Sequence, residues 1–264
     1  MGPLTRTAED ASLVYACLQG VDLNDDTTWG LPPQDVLKTL RDGVRGLRLA
    51  FAESVFWEDA HPEVERAVRE CGAVFKDLGA YISSIDFAEA EEARQLQPSA
   101  VIIAAEAYTV NKKWVEEHYD ELDPVIAVRL VKGKTISATE YLENLLACKR
   151  LQARVNHTLQ DVDALLVPTT ILPSSPVAEV DGNAKVYSEC NLTYLRNTSI
   201  GNILNLCALT VPCGFTREGL PVGLLIYGKS FQEDVVLRVG YAFQQVTDWH
   251  QCMPDLGWVK SAAG

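Results

Sequence analysis

Hydrophobic positions in the first third of the chain predict a strand, a helix and a second strand in succession. The apolar run at residues 47–51 has the length and composition of a strand, and residues 81–85 follow the same pattern. Between them, apolar residues from Val64 to Leu78 recur at helical spacing behind Pro62, which suits the first turn of a helix. Such a unit predicts two parallel strands joined by a right-handed crossover.

The rest of the chain combines long helical segments with three more apolar runs. Residues 87–159 are mostly helical in pattern, and residues 163–167 form a short strand that stops at Pro168. The runs at 208–213 and 221–227 flank a glycine-containing turn and predict a hairpin. These elements predict an α/β fold of three layers (α/β/α), in which helices cover both faces of a mixed sheet. Further helices are predicted at residues 7–19, 187–206 and 233–246, and Gly201 is a weak point of the second of these helices.

Length and composition limit the class of protein. The chain has 264 residues, of which 47% are hydrophobic, enough for one sizeable core. The formal charge of −13 argues against a nucleic-acid surface and against an anionic membrane surface. No apolar run is long enough to span a bilayer, and the N-terminus lacks the apolar core of a signal peptide. Seven cysteines without a CxxC pair predict reduced thiols and a cytoplasmic protein.

Local motifs of known chemistry are missing from the sequence. It contains no G-x-S-x-G, no P-loop and no H-E-x-x-H, and its four histidines are scattered, so we predict neither a metal site nor a cofactor. Ser174 and Ser175 lack flanking glycines that would let backbone amides approach an oxyanion, which favours a solvated turn. Cys213 is either a nucleophile or, as its apolar setting favours, a small buried residue.

Five well-separated segments, in order, resemble the amidase-signature family. The first resembles the family segment that follows its serine-rich signature, and the second resembles the strand and loop that reach the site from the C-terminal half. The third carries Asn202 and the Val-Pro-Cys strand entry, and the last two resemble the family's terminal hairpin and its ending. The segments are residues 2–11, 161–170, 202–213, 219–228 and 247–250. Together they cover nearly the whole chain, and they resemble only the C-terminal part of a typical member.

The resemblance implies that residues 1–264 form the C-terminal part of a single amidase-signature domain, incomplete at its N-terminal side. In the family, a serine attacks the amide carbonyl, a second serine relays its proton and a lysine acts as general base. A Gly-Gly-Ser-Ser-Gly-Gly loop holds the oxyanion. This sequence has no such loop, so we assign no catalytic residue.

Three residues are nevertheless predicted to contact substrate. Thr169 and Thr170 follow a strand end, where loops of α/β sheets line clefts. Arg129 lies near the position at which some relatives hold a substrate carboxylate, and its alternative role is a surface salt bridge.

The leading hypothesis is an amidohydrolase acting on a small-molecule amide, with this chain inactive by itself. Two alternatives remain open: a non-catalytic binding or regulatory subunit, and one half of a split enzyme. Because the predicted sheet is incomplete, we expect self-association or a partner chain that covers the exposed sheet. We expect neither nucleic acid nor a membrane as a partner.

Overall fold

A computed structural model describes residues 2–96, 100–181 and 183–255 of the chain. All five predicted strands are present, with ends that differ from the prediction by at most two residues. The predicted helical stretch 87–159 consists of four helices, and its residues 97–99 lie outside the described part. In chain order the elements are α1 Ala8–Leu18, α2 Val36–Thr39, β1 Arg48–Ala52, α3 Pro62–Asp77, β2 Tyr81–Ile85, α4 Ala88–Leu96, α5 Val101–Glu117, α6 Pro124–Lys132, α7 Ala138–Thr158, β3 Ala164–Pro168, α8 Val177–Val180, α9 Ala184–Leu204, β4 Cys207–Phe215, β5 Pro221–Gly228 and α10 Glu233–Gln244.

The five strands form one mixed sheet in the order β2-β1-β3-β5-β4. Strand β1 lies between β2 and β3 and is parallel to both, as the predicted crossover requires. Strand β5 runs antiparallel to β3 and forms the predicted hairpin with β4. In the described part of the chain, β2 and β4 are therefore the edges of the sheet.

Alternate residues along the strands point to opposite faces of the sheet and contribute to two separate hydrophobic cores. On one face, Leu49, Leu166 and Ile226 pack against α3 and α10. On the other face, Ala50 and Leu165 belong to a core built with α4, α7 and α9. The predicted three-layer α/β/α arrangement is therefore confirmed. Helices α1 and α2 form a small outer cluster against α10.

Helix α9 continues through Gly201, which the sequence marked as a weak point of the helix. The glycine is required by packing, because a Cβ at this position would lie 2.2 Å from the Tyr227 ring. The ring therefore sits directly on the helix backbone, and its hydroxyl donates to the Asn197 carbonyl at 2.7 Å. This contact holds α9 against the interior strand β5, although glycine costs roughly 1 kcal/mol of helix propensity relative to alanine.

Helices α5 and α6 pack against each other and leave large apolar side chains exposed, among them Ile103, Val110 and Trp114. Among the described residues, none of the helices combines the length and apolarity needed to cross a membrane.

Candidate functional site

The described sheet has a topological switch point between the carboxyl ends of β1 and β3. The chain leaves β1 for α3 on one face of the sheet, and leaves β3 for α9 on the other face. In open α/β sheets, the crevice outside such neighbouring carboxyl ends is the usual ligand site. The loops 53–61 and 169–176 follow the carboxyl ends of β1 and β3, and we call the region that they border the β1–β3 crevice. The two loops meet where the His61 amide donates to the Ile171 carbonyl at 2.8 Å.

The predicted residues Thr169 and Thr170 both lie at this edge and are partly exposed. The Thr169 amide donates to the Gly223 carbonyl at 2.9 Å, which continues the β3–β5 pairing by one residue. Its hydroxyl lies 3.3 Å from the hydroxyl of Thr210 on β4. The Thr170 hydroxyl donates to the Leu172 carbonyl at 2.9 Å, which holds the loop in a tight turn.

Gly223 makes room for the two threonine side chains that meet above the sheet. A Cβ at this position would lie 2.7 Å from Thr169 Oγ1 and 3.1 Å from Thr210 Cγ2. Thr210 is exposed on a sheet face that the described helices leave uncovered at β4. The sequence did not indicate Thr210, because only the pairing of β4 with β5 brings it beside Thr169.

Asn197 is a second residue that the sequence did not indicate, and it joins both loops of the crevice. Its side chain is 1% exposed. The amide Nδ2 donates to the Phe56 carbonyl at 3.1 Å and to the Pro168 carbonyl at 2.8 Å. Both acceptors are main-chain oxygens, so the asparagine fixes the backbone leading into Thr169 relative to the loop after β1.

Arg129 lies apart from this arrangement. It is exposed on α6, which packs against α5 and the turn Gly133–Thr135. Within the described residues it forms no ion pair and no hydrogen bond with either threonine. The predicted carboxylate contact of Arg129 and its alternative as a surface salt bridge both stay untested by this structure.

Neither of the alternative nucleophiles, Ser175 and Cys213, lies in an environment that would activate it. Ser175 lies in an exposed turn, where its amide and hydroxyl contact the Tyr194 hydroxyl. Cys213 is 5% exposed. A hydrogen bond with Cys71 and burial both raise the pKa of the Cys213 thiol far above its usual range. The chain thus holds Cys213 as a protonated, buried residue. Within the described part of the chain, no three metal-ligating side chains cluster.

Cys213 should therefore resist alkylation in the folded chain, since the thiolate is the reactive form. We expect iodoacetamide at pH 8 to modify the exposed Cys17 and Cys252 at least about 10³-fold faster than Cys213. Peptide mass spectrometry over time measures the three rates, with the urea-unfolded chain as a control in which they should converge. Comparable rates in the folded chain would contradict the buried assignment.

The sheet order, the hairpin and the crevice define an α/β scaffold that sequence and structure comparisons assign to one family. The sequence model of the amidase family matches residues 1–237. The chain therefore belongs to the amidase-signature family, as the resemblance of its five segments implied.

Individual relatives agree with this assignment. An amidase from Pseudomonas putida is 30% identical over 260 residues, which cover 97% of this chain and 54% of that protein. A 2-amino-5-chloromuconic acid deaminase from Comamonas testosteroni is 31% identical, with coverage of 92% and 50%. The crystal structure of a glutamyl-tRNA(Gln) amidotransferase polypeptide from Thermotoga maritima superposes with a TM-score of 0.72 at 25% identity and covers 93% of this chain and 52% of that one. The chain thus spans about half the length of the relatives it matches.

Proposed function

We propose that this chain supplies the C-terminal part of an amidohydrolase that cleaves the C–N bond of a small carboxamide. The observation that carries the proposal is the pair of hydroxyls of Thr169 and Thr210, which lie 3.3 Å apart at the end of β3. The match of residues 1–237 to the amidase family model supports the same conclusion. Hydroxyls in such a place can orient an amide by hydrogen bonds, and among the described residues no base contacts either of them. Thr170 completes this wall of the cleft, and Arg129 stays a candidate for a contact with a substrate carboxylate.

The nucleophile, its relay and its base would come from the family's N-terminal region, which carries the Gly-Gly-Ser-Ser-Gly-Gly loop. The family resemblance supports this division of labour, because the present sequence contains no such loop. The positioning groups and the reacting groups would then approach the substrate from opposite sides.

A chimera tests the proposal directly. The C-terminal half of the Pseudomonas putida amidase would be replaced by this chain, and ammonia release from a panel of carboxamides measured. We expect activity in the chimera, and a loss of about fivefold in kcat/KM for Thr169→Val, because one neutral hydrogen bond contributes about 1 kcal/mol. Thr193→Val, on α9 and outside the crevice, is the matched control. A soluble, folded chimera without activity would contradict the proposal.

The open edge of the sheet also predicts how the isolated chain behaves in solution. In the described structure, strand β4 is unpaired on one side, and its Ala208 and Thr210 are exposed. Unpaired edges and exposed apolar side chains drive association. We expect light scattering to give masses above the 29.0 kDa monomer, with binding of a hydrophobic dye.

A charge placed on β4 should reduce this association, since edge lysines block strand pairing. Ala208→Lys is expected to move most of the chain to the monomer mass, whereas Thr135→Lys, which adds the same charge on the remote helical side, should not. A clean wild-type monomer without dye binding would contradict the expectation.

A further inference from the structure

Arg196 is a half-buried cation at the mouth of the β1–β3 crevice. It precedes Asn197 on α9, so the backbone contacts of Asn197 place it beside both loops. Its Nη2 donates to the Glu58 carbonyl at 2.7 Å. Its Nε lies 3.4 Å from the Asn197 side-chain oxygen, a long and weak contact. The remaining donors of the guanidinium have no partner among the described residues.

Within the described ranges, no carboxylate forms an ion pair with this guanidinium. The Arg196 guanidinium contacts the main-chain carbonyl of Glu58, but the Glu58 carboxylate pairs with Arg94 at 2.8 Å. Asp59 is exposed, and like Glu58 it favours the charged form of Arg196 without coming within ion-pair distance. Arg94 lies on the same side and repels it. The net result is a cation that burial disfavours, that Glu58 and Asp59 stabilise only in part, and that no carboxylate of the described residues pairs with directly.

A half-buried guanidinium costs free energy of folding unless an anion pairs with it. Burial lowers the pKa of Arg196, and the proximity of Arg94 lowers it further. A guanidinium nevertheless stays protonated in proteins, so Arg196 remains charged at the crevice. Its planar fork is suited to binding both oxygens of a carboxylate at once.

We propose that Arg196 binds the carboxylate of an acidic amide substrate, so that this amidase prefers monoamides of dicarboxylic acids over neutral amides. The inference rests on the proposed function, since the crevice with its threonines would hold the amide end. Asn197 connects the two parts of the arrangement, because this neighbour of Arg196 donates from its side chain to the Pro168 carbonyl immediately before Thr169. One stretch of α9 thus carries the anion-binding residue and positions the amide-binding loop.

The chain itself can be tested for binding, without any catalytic half. Malonamate, succinamate and glutaramate would each be titrated against the corresponding neutral diamide, with dissociation constants measured by NMR at constant ionic strength. We expect at least one acid to bind about tenfold or more tightly than its diamide. Arg196→Gln should weaken the binding of that acid about ten- to hundredfold and leave the binding of the diamide unchanged.

Two further variants separate charge, geometry and simple surface attraction. Arg196→Lys keeps the charge but cannot bind both carboxylate oxygens at once. Its affinity for the acid should therefore lie between those of the wild type and Arg196→Gln. Arg41→Gln removes an exposed cation that pairs with Glu9 on the α1 side, and it should leave acid binding unchanged.

The possible results distinguish this inference from the proposed function. An acid preference below tenfold, or one that survives in Arg196→Gln, would overturn the role of Arg196. If diamides still bind and Thr169→Val weakens them, the proposed function stands without the inference. Absence of binding by every acid and diamide would count against both.

Discussion

The purified chain should release ammonia from small carboxamides, allophanate and glutamine no faster than buffer does. Removing the nucleophile and base of a serine hydrolase leaves residual catalysis on the order of a millionfold below the intact enzyme. Loss of one oxyanion donor alone typically costs about 10²–10³-fold. The end of β3 and the neighbouring face of β4 offer the hydroxyls of Thr169, Thr170 and Thr210, which can position an amide but contact no activating base within the described residues.

Cys213 is the remaining conceivable nucleophile, and its environment argues against it. Burial and the Cys71 hydrogen bond raise the pKa of the thiol, so the thiolate fraction near neutral pH is negligible. Cys213→Ala is therefore a matched control that should not change the background rate. Ammonia release well above buffer, abolished by Cys213→Ala, would instead show a rebuilt active site in this chain. Activity that appears only after addition of a second polypeptide would support the split-enzyme alternative.

Asn197→Ala should destabilise the chain by roughly 2–4 kcal/mol, because it leaves two buried carbonyls without their donor. The acceptors are Phe56 and Pro168, which lie in different loops, and water has little access to a residue that is 1% exposed. We expect the midpoint of urea unfolding to fall, and the thermal midpoint to drop by about 5–15 °C for a domain of this size.

The control is Asn202→Ala, which changes the same residue type on the same helix at an exposed position. Its effect should stay within about 0.5 kcal/mol. Hydrogen exchange gives a second measurement, since loss of the Asn197 bridge should speed exchange in residues 53–61 and 169–176 before the sheet is affected. Equal stabilities of the two variants would show that Asn197 does not join the loops.

The elements of this fold could be predicted because their signals are local. Periodicity located all five strands, and the turn after β4 predicted the hairpin. The position of Thr169 and Thr170 followed from Pro168, which indicated the end of β3 to within one residue. Family membership followed from the order of five segments, none of which is specific by itself.

The local sequence pattern did not identify three residues of the proposed site. Thr210 reads as one polar position in an apolar strand, and its meeting with Thr169, 41 positions away, depends on β5 lying between the two strands. Arg196 and Asn197 read as ordinary polar residues of a helix with little amphipathic character. Gly201, which looked like a defect in that helix, proved to be the place where the Tyr227 ring lies against the backbone.

The sequence by itself determined which segments are strands and helices, which faces are apolar, and where β3 must stop. Only the tertiary structure decided which polar side chains share a site, because that depends on contacts such as the one from Asn197 to Phe56, 141 residues apart. A hydrogen bond needs its donor and acceptor within about 3 Å. Periodicity reports on neighbours three or four residues apart, so it carries no information about such a pair.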